Sequence, residues 1–285
     1  MPGSPDDLPS PTRTATSSRV VRVRNGRAET LDDRLAGEEP LEIRVAGPGQ
    51  DSVAVAVTMR TPGGEPELAV GFLRTEGLID GPADVASVAS GDPLRDAHPD
   101  DSIVVRLTRP FDFSLIAERH FVATASCGIC GKASIDEVAV RCDPIPPGPT
   151  ISAAVVVALP DRLRAAQAIF EATGGLHAAA LFTPDGSLVA VREDVGRHNA
   201  LDKLVGSRLL AGELPLNDRV VMLSGRIGFE LVQKAAVAGV PIVCAVGAPT
   251  DLAVAAGDRL GVTLVGFLRG HAFNVYAHPE RIAMA

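Results

Sequence analysis

In the first part of the chain, apolar residues alternate with polar ones, which is the pattern of strands with one buried face. The alternation predicts strands at residues 19–24, 41–45, 53–59 and 102–107. Residues 65–79 instead carry apolar side chains at helical spacing and predict an amphipathic helix. We therefore expect a mixed α+β domain with antiparallel pairing over residues 19–118.

Residues 119–285 have a different pattern of apolar and polar positions. The pattern predicts helices at 161–173 and 197–210, with a hairpin at 178–191 that turns at Pro184-Asp185-Gly186. From residue 220 onward, apolar runs alternate with amphipathic segments, as in parallel strands joined by helices. Strands are predicted at 220–223, 242–246 and 262–267, with helices at 227–235 and 252–260. This part is predicted to be an α/β domain whose helices pack on an open parallel sheet.

Composition narrows the function classes. The 285 residues carry a formal net charge of −8, with 46% hydrophobic and 22% charged residues, which is an ordinary soluble globular balance. A surplus of acidic residues argues against general nucleic-acid binding, because phosphate neutralisation needs clustered Lys and Arg. No stretch approaches the roughly 20 apolar residues of a membrane span. Partners are therefore expected to include neither nucleic acid nor membrane.

The first 18 residues are rich in Pro, Ser, Thr and Asp. They have neither the basic start nor the apolar run of a secretory signal, and they predict a disordered lead-in. We therefore expect a cytoplasmic protein. In that reducing compartment, a close cysteine pair is reactive or binds metal rather than forming a structural disulfide.

The sharpest chemical feature is the Cys127/Cys130 pair, two thiols separated by two residues and followed by Lys132. A helix that begins near Cys130, together with Lys132, would lower their pKa values. From the residues alone, the pair suits a dithiol/disulfide redox couple, half of a zinc site, the seat of a persulfide, or two structural cysteines that cap a buried loop. The zinc use lacks a second CxxC or HxxxH, so Cys142, Cys244, His120 or His177 would have to supply the other ligands.

Three predicted strands end in turns suited to an anion: Ser224-Gly225-Arg226, Ala248-Pro249-Thr250 and Phe267-Leu268-Arg269-Gly270. Carboxyl ends of parallel strands meet at one edge of a sheet, where ligands commonly bind. Backbone amides at the start of the following helices favour negative charge, and arginine binds phosphate in a bidentate manner. We expect a crevice for an anionic ligand such as a nucleotide phosphate, although no Walker loop or dinucleotide fingerprint is present.

A dense polar run at 193–199 follows the predicted hairpin. In one interpretation Asp194 caps the next helix and the remaining side chains form a solvated ion-pair face. In the other, Arg197 and His198 reach the crevice and bind the ligand or handle a proton. His177, which follows Gly174-Gly175, is more typical of a structural hydrogen-bonding residue.

Together these motifs resemble the formate dehydrogenase accessory sulfurtransferases, the FdhD family. The resemblance extends from about Glu39 to the end of the chain. The matching stretches are EPLEI at 39–43, MRTPG at 59–63, GFLRTEG at 71–77, SCGICGKAS at 126–134, TGGLH at 173–177, EDVGRHNA at 193–200, SGR at 224–226, APT at 248–250 and residues 267–276.

The resemblance implies a sulfurtransferase. Such a protein takes persulfide sulfur from a cysteine desulfurase and passes it to the molybdenum (or tungsten) bis(guanine dinucleotide) cofactor, which formate dehydrogenase needs for activity. By resemblance, Cys127 carries the persulfide and Cys130 assists it. The residues that would bind the cofactor are Arg197, His198, Ser224, Gly225, Arg226, Thr250, Phe267, Leu268, Arg269, Gly270, His271 and Ala272.

The resemblance also implies a homodimer whose second domain is a three-layer α/β unit similar to the cytidine deaminase fold. The deaminase zinc signature is missing, because Ala178 and Ala179 follow His177 and no Pro-Cys-x-x-Cys comes later. No permanent metal is therefore expected. Two alternatives stay open: a thiol-disulfide oxidoreductase that uses the same cysteine pair, and a non-enzymatic nucleotide-binding chaperone.

Overall fold

A computed structural model describes residues 14–91, 99–115 and 143–284. Cys127, Cys130 and the predicted domain boundary at 118/119 therefore lie outside the described residues. The described chain forms an N-terminal hairpin, a four-stranded sheet and a six-stranded sheet. Within these ranges, no helix has the length and apolar character that crossing a membrane requires.

The N-terminal hairpin pairs β1 (Ala15–Arg24) with β2 (Arg27–Ala36) in antiparallel register. Asn25 and Gly26 form its turn with φ values of 50° and 76°, the left-handed geometry of a two-residue type I′ turn. Residues 15–18, which we assigned to the disordered lead-in, belong to β1 because cross-strand pairing extends to Ala15. The prediction missed β2 altogether, since most of its side chains are polar and exposed.

The four-stranded sheet has the strand order β4-β3-β6-β5. Its strands are β3 (Glu39–Ala46), β4 (Val53–Arg60), β5 (Val85–Ser90) and β6 (Ser102–Leu107). The pairs β3–β4 and β5–β6 are antiparallel, whereas β3–β6 is parallel, so the expectation of antiparallel pairing holds only in part. The missed strand β5 has no buried side chain and therefore lacks the alternating pattern.

Helix α1 (Glu65–Thr75) covers the apolar face of this sheet and buries Leu68 and Leu73 there. We expected a helix through residue 79. The helix ends earlier because Gly77 adopts a left-handed φ of 68°, and the amide of Leu78 then bonds back to the carbonyl of Leu73.

The six-stranded sheet has the order β13-β12-β11-β10-β8-β9. Its strands are β8 (His177–Phe182), β9 (Leu188–Asp194), β10 (Val220–Leu223), β11 (Ile242–Ala245), β12 (Thr263–Arg269) and β13 (Ala272–Ala277). Strands β10, β11 and β12 are parallel as predicted. The sheet is mixed rather than purely parallel, because the hairpin β8–β9 joins one side in antiparallel direction and β13 joins the other.

Helices cover both faces of the six-stranded sheet, which makes this part three-layered and confirms the α/β class. They are α2 (Ala153–Ala166), α3 (Ala168–Thr173), α4 (Arg197–Leu210), α5 (Phe229–Val237) and α6 (Asp251–Leu260). Apolar side chains of α4, α5 and α6 share one core with the sheet, and those of α2 share the other. The single helix predicted at 161–173 is two helices that meet at Gln167. The likeness to the cytidine deaminase fold stays a prediction.

Two short strands complete the fold. Strand β7 (Ile151–Ser152) pairs in parallel with β14 (Ile282–Ala283), which brings the chain's C-terminal end next to the start of α2.

Candidate functional site

One edge of the six-stranded sheet gathers most of the residues that the sequence singled out. Strands β10, β11 and β12 all end at this edge. Strand β8 runs in the opposite direction, so it begins there with His177, which pairs in register with Asp194 at the end of β9. Helix α4 starts just after Asp194 and brings Arg197 and His198 to the same edge. We call this edge, formed by His177, the start of α4 and the turns after β10, β11 and β12, the strand-end edge. It brings together segments that lie about 90 residues apart in the sequence.

Backbone hydrogen bonds tie the turns of this edge together. The amide of Gly247 donates to the carbonyl of Gly225 over 3.0 Å, and the amide of Phe267 donates to the carbonyl of Gly247, also over 3.0 Å. A Cβ atom at Gly247 would lie 2.7 Å from the carbonyl oxygen of Gly225, so only glycine allows this approach. The three turns thus form one continuous surface.

The polar residues of the first two turns have different roles. The hydroxyl of Ser224 accepts a hydrogen bond from the amide of Ala178 over 2.8 Å and so binds β8 to the end of β10. The hydroxyl of Thr250 accepts from the amide of Ala253 over 3.2 Å and caps α6, as its position predicts. We expected Arg226 to open the following helix, but α5 has its N-cap at Gly228, and Arg226 lies before it.

The third turn places some of its predicted residues at the surface and one in the core. Phe267 is 46% exposed and has a φ of 52°, a left-handed conformation that non-glycine residues rarely adopt. Arg269 is exposed and its Nε donates to the carbonyl of Val246 over 3.3 Å. The side chain of Leu268, by contrast, is fully buried in the core beneath α2, so the structure does not bring it to the edge. Gly270, His271 and Ala272 are exposed around the turn between β12 and β13.

Asp194 is a structural residue at the start of α4. Its buried carboxylate lies 2.6 Å from Nζ of Lys203 and accepts hydrogen bonds from the amides of Gly196 (2.8 Å) and Thr61 (3.2 Å). Asn199 donates to the same carboxylate over 3.1 Å. The N-cap of α4 is Gly196 rather than Asp194. The carboxylate nevertheless holds the first turn of the helix and ties it to Thr61 after β4.

Glu193 is likewise engaged within the protein. Its two carboxylate oxygens accept hydrogen bonds from the amides of Ile169 and Phe170 over 2.9 and 2.8 Å. These amides open α3, where a helix leaves its N–H groups without internal partners. Of the dense polar run at 193–199, the two carboxylates thus hold backbone amides, Asn199 donates to Asp194, and Arg197 makes no ion pair with the described residues.

His198 is mostly buried beside α5. Its Nε2 lies 3.1 Å from a carboxylate oxygen of Glu230. Burial lowers the pKa of His198 from 6.5 to about 3, and the positive charges of Lys234 and Arg197 act in the same direction. The imidazole is therefore neutral at physiological pH and can donate a hydrogen bond to Glu230.

A buried charge cluster, formed by Lys234, Asp202 and Glu76, lies close to His198 and was not predicted from the sequence. Nζ of Lys234 lies 2.9 Å from the carboxylate of Asp202, 3.1 Å from that of Glu76 and 2.9 Å from the hydroxyl of Thr75. Burial alone lowers the pKa of Lys234, but the two carboxylates outweigh it and hold the pKa above its ordinary value. The cluster joins α1, α4 and α5, so no local pattern in the sequence could reveal it.

Three guanidinium groups supply positively charged hydrogen-bond donors at the strand-end edge. Arg197, Arg226 and Arg269 make no ion pair with any carboxylate in the described ranges. An unpaired guanidinium presents up to five donors in a fork that matches phosphate and carboxylate geometry. Also within those ranges, no group of three or more His, Cys, Asp and Glu side chains could hold a metal ion. Fold and site together define a three-layer α/β protein with an arginine-bearing strand-end edge suited to an anionic ligand.

Comparison with known proteins identifies the family. Residues 36–283 match the model of the FdhD/NarQ family, so the chain belongs to that family. It is 47% identical over 282 residues to "Sulfur carrier protein FdhD" of Streptomyces avermitilis, and the match covers 95% of this chain and 97% of the relative. Proteins of the same name from Mycobacterium tuberculosis and Sulfurisphaera tokodaii are 44% and 43% identical, covering 94% and 93% of this chain and 99% and 97% of theirs.

A solved structure is also similar. The crystal structure of a protein from Desulfotalea psychrophila, provisionally assigned as a formate dehydrogenase accessory protein, matches with a TM-score of 0.74 at 25% identity. The match covers 95% of this chain and all of that one. The family relationship that the motifs indicated is therefore confirmed.

Proposed function

We propose that this protein is a sulfur carrier that serves the maturation of formate dehydrogenase. Membership of the FdhD/NarQ family and high identity to relatives named sulfur carrier proteins support this role. The sulfur donor in this proposal is a cysteine desulfurase. The acceptor is the molybdenum bis(guanine dinucleotide) cofactor, which is a substrate here rather than a resident group.

In the first step, the thiolate of Cys127 attacks the outer sulfur of the donor's persulfide. A new S–S bond forms at Cys127, the S–S bond in the donor breaks, and the donor cysteine leaves as a thiolate. No net oxidation takes place, because the sulfane sulfur only changes its carrier. Cys130 assists by binding or relaying that sulfur. Both cysteines lie outside the described residues, so their roles rest on the family motif.

The strand-end edge is the observation that supports binding of the acceptor cofactor. Arg197, Arg226 and Arg269 are without carboxylate partners among the described residues, and they stand where three turns form one surface. A guanine dinucleotide carries several phosphate charges, which such guanidinium groups bind in a bidentate manner. The residues proposed to contact it are Arg197, His198, Ser224, Gly225, Arg226, Thr250, Phe267, Arg269, Gly270, His271 and Ala272.

The proposal includes a cellular setting and an assembly. A persulfide carrier needs reduced thiols and a cytosolic donor, so we place the protein in the cytoplasm. A homodimer is part of the proposal, and sedimentation of the purified protein tests it directly.

Intact-protein mass spectrometry after incubation with a cysteine desulfurase and cysteine tests the proposal. We expect the wild type to gain one sulfur atom, about 32 Da, and to lose it on reduction. Cys127→Ala should not gain it. Cys244→Ala is the matched control, since burial raises the pKa of the Cys244 thiol to about 12 and keeps it unreactive.

Two results would contradict this function. Sulfur loading that persists in Cys127→Ala would exclude this residue as the carrier. A wild type that gains no sulfur, but loses two hydrogen masses on mild oxidation, would favour a thiol-disulfide oxidoreductase.

A further inference from the structure

His177 occupies a central position on the strand-end edge. It is the first residue of β8, and it lies between the end of β9 and the end of β10 in the sheet order. Its ring is half-buried, and neither imidazole nitrogen has a hydrogen-bond partner among the residues that the structure describes. Asp194, its neighbour across the strands, is already saturated by Lys203, Asn199 and two backbone amides.

The ring lies against Gly225 in the first turn of the edge. A Cβ atom at position 225 would be 3.3 Å from Nδ1 and 3.4 Å from Cε1 of His177. The distance to Nδ1 is slightly tighter than an ordinary van der Waals contact, so a side chain at position 225 would press against the imidazole and glycine leaves that side of the ring open toward the turn. Gly225 is not required here by backbone strain, since it is not among the glycines with positive φ. The contact that a side chain at position 225 would make is therefore with His177.

The charges around His177 favour an anion as its partner. Arg197 begins α4 three residues after Asp194, and Arg226 directly follows Gly225. Burial lowers the pKa of His177 below its ordinary value of 6.5, and the positive charge of Arg197 lowers it further, whereas the Asp194 carboxylate opposes the shift more weakly. An imidazole in that state is neutral and offers one N–H donor and one acceptor nitrogen.

We propose that His177 is a ligand-contacting residue that donates a hydrogen bond to a phosphate group of a guanine nucleotide, between Arg197 and Arg226. This inference rests on the proposed guanine dinucleotide acceptor and adds a residue to its site. It also explains Gly225, because the missing side chain gives the phosphate access to the imidazole. His177 is then a binding residue, not the structural hydrogen-bonding residue that its sequence context suggested.

Isothermal titration with GDP of the full-length wild type and its variants tests this inference. We expect saturable binding to the wild type and about tenfold weaker binding to His177→Leu, the usual effect of losing a hydrogen bond to a charged group. His177→Gln keeps an N–H donor on a side chain of similar reach and should recover most of the affinity. Gly225→Ala keeps the imidazole but crowds it, and should weaken binding several-fold.

Two matched controls separate binding from general damage. His278→Asn removes a histidine near the opposite edge of the sheet, where its ring contacts Glu280 and the carbonyl of Asp258, and asparagine tolerates the left-handed φ of 48° at this position. Gly81→Ala adds a methyl group where nothing lies within 4 Å. Both should bind GDP like the wild type, and all variants should keep the wild-type melting temperature within a few degrees.

Each outcome decides the proposal. If His177→Leu and Gly225→Ala bind GDP like the wild type, the proposal is overturned, as it is if the wild type binds no GDP. Sulfur loading of the wild type, measured in parallel, distinguishes the two claims. Loading without any effect of the variants on GDP binding refutes only the role of His177. Weakened GDP binding in the variants, together with a wild type that fails to load sulfur, refutes only the sulfur-carrier function.

Discussion

Gly71 of α1 and Gly206 of α4 lie directly against each other where the two helices cross. A Cβ atom at Gly206 would be 2.8 Å from the amide nitrogen of Gly71 and 1.8 Å from the carbonyl oxygen of Glu67. A Cβ atom at Gly71 would be 1.9 Å from the carbonyl oxygen of Asp202. The backbones of α1 and α4 are therefore in direct contact. Through this contact α1, which packs on the four-stranded sheet, helps to fix the position of α4 and of Arg197 at its start.

Gly71→Ala should destabilise the protein by at least about 2 kcal/mol, because overpacking moves two backbones apart. The sign of this change in unfolding free energy distinguishes a tight helix crossing from an open one, because Gly→Ala in an exposed helix interior stabilises by about 1 kcal/mol. Urea denaturation measures it, with Gly81→Ala expected within about 0.5 kcal/mol of wild type. A variant as stable as the wild type would mean that the crossing can shift without cost.

Removal of one partner of the Asp194/Lys203 pair should cost about 3–5 kcal/mol, because the other charge is left buried without compensation. The side chains are only 0% and 3% exposed, so water cannot replace the lost partner. Lys203→Met and Asp194→Asn, singly and together, form a double-mutant cycle in denaturation experiments. We expect a coupling energy above about 1 kcal/mol, and additive losses would show that the two residues act independently.

His198 should make stability depend on pH. Its pKa is about 3 in the folded protein against 6.5 for the free side chain. Between these values the unfolded chain binds a proton that the folded protein does not, so stability falls as pH drops from 6.5 toward 3. The slope from this group is about 1.4 kcal/mol per pH unit.

His198→Gln should remove that share of the pH dependence, as urea denaturation at about pH 4.5 and about pH 7 would show. NMR titration of the wild-type ring gives a second measurement, in which the imidazole stays neutral from about pH 8 to about pH 5. A ring that protonates near its ordinary pKa of 6.5 would show that the ion pair with Glu230 outweighs burial.

Arg226→Ala and Arg269→Ala should each weaken guanine-nucleotide binding about tenfold, through loss of a charge-assisted hydrogen bond. Raising the salt concentration should weaken the wild type more than either variant, because the variants have fewer charge contacts to be screened. Arg106→Ala, on the exposed face of the four-stranded sheet, serves as the control. Unchanged affinity in both edge variants would remove the strand-end edge from the proposal.

The helices and strands that were predicted correctly from the sequence are those with a clear periodic pattern of apolar residues. Helix α4 and strands β10 to β12 lie where the apolar pattern placed them, because each buries a continuous stripe or face. Strands β2 and β5 escaped detection because almost nothing on them is buried. Their pairing partners, rather than their own side chains, hold them extended.

By itself, the sequence determined the α/β class, the family and the residue types that stand at the ends of the strands. Only the tertiary structure decided which of those residues face the edge. It buries Leu268 in the core, engages Asp194 with Lys203 and Thr61, and leaves His177 beside Gly225. The physical reason is that periodicity reports contacts within a few residues. The contacts of Asp194 with Thr61 and of Lys234 with Thr75 join segments more than a hundred residues apart, which meet only where the two sheets pack through α1 and α4.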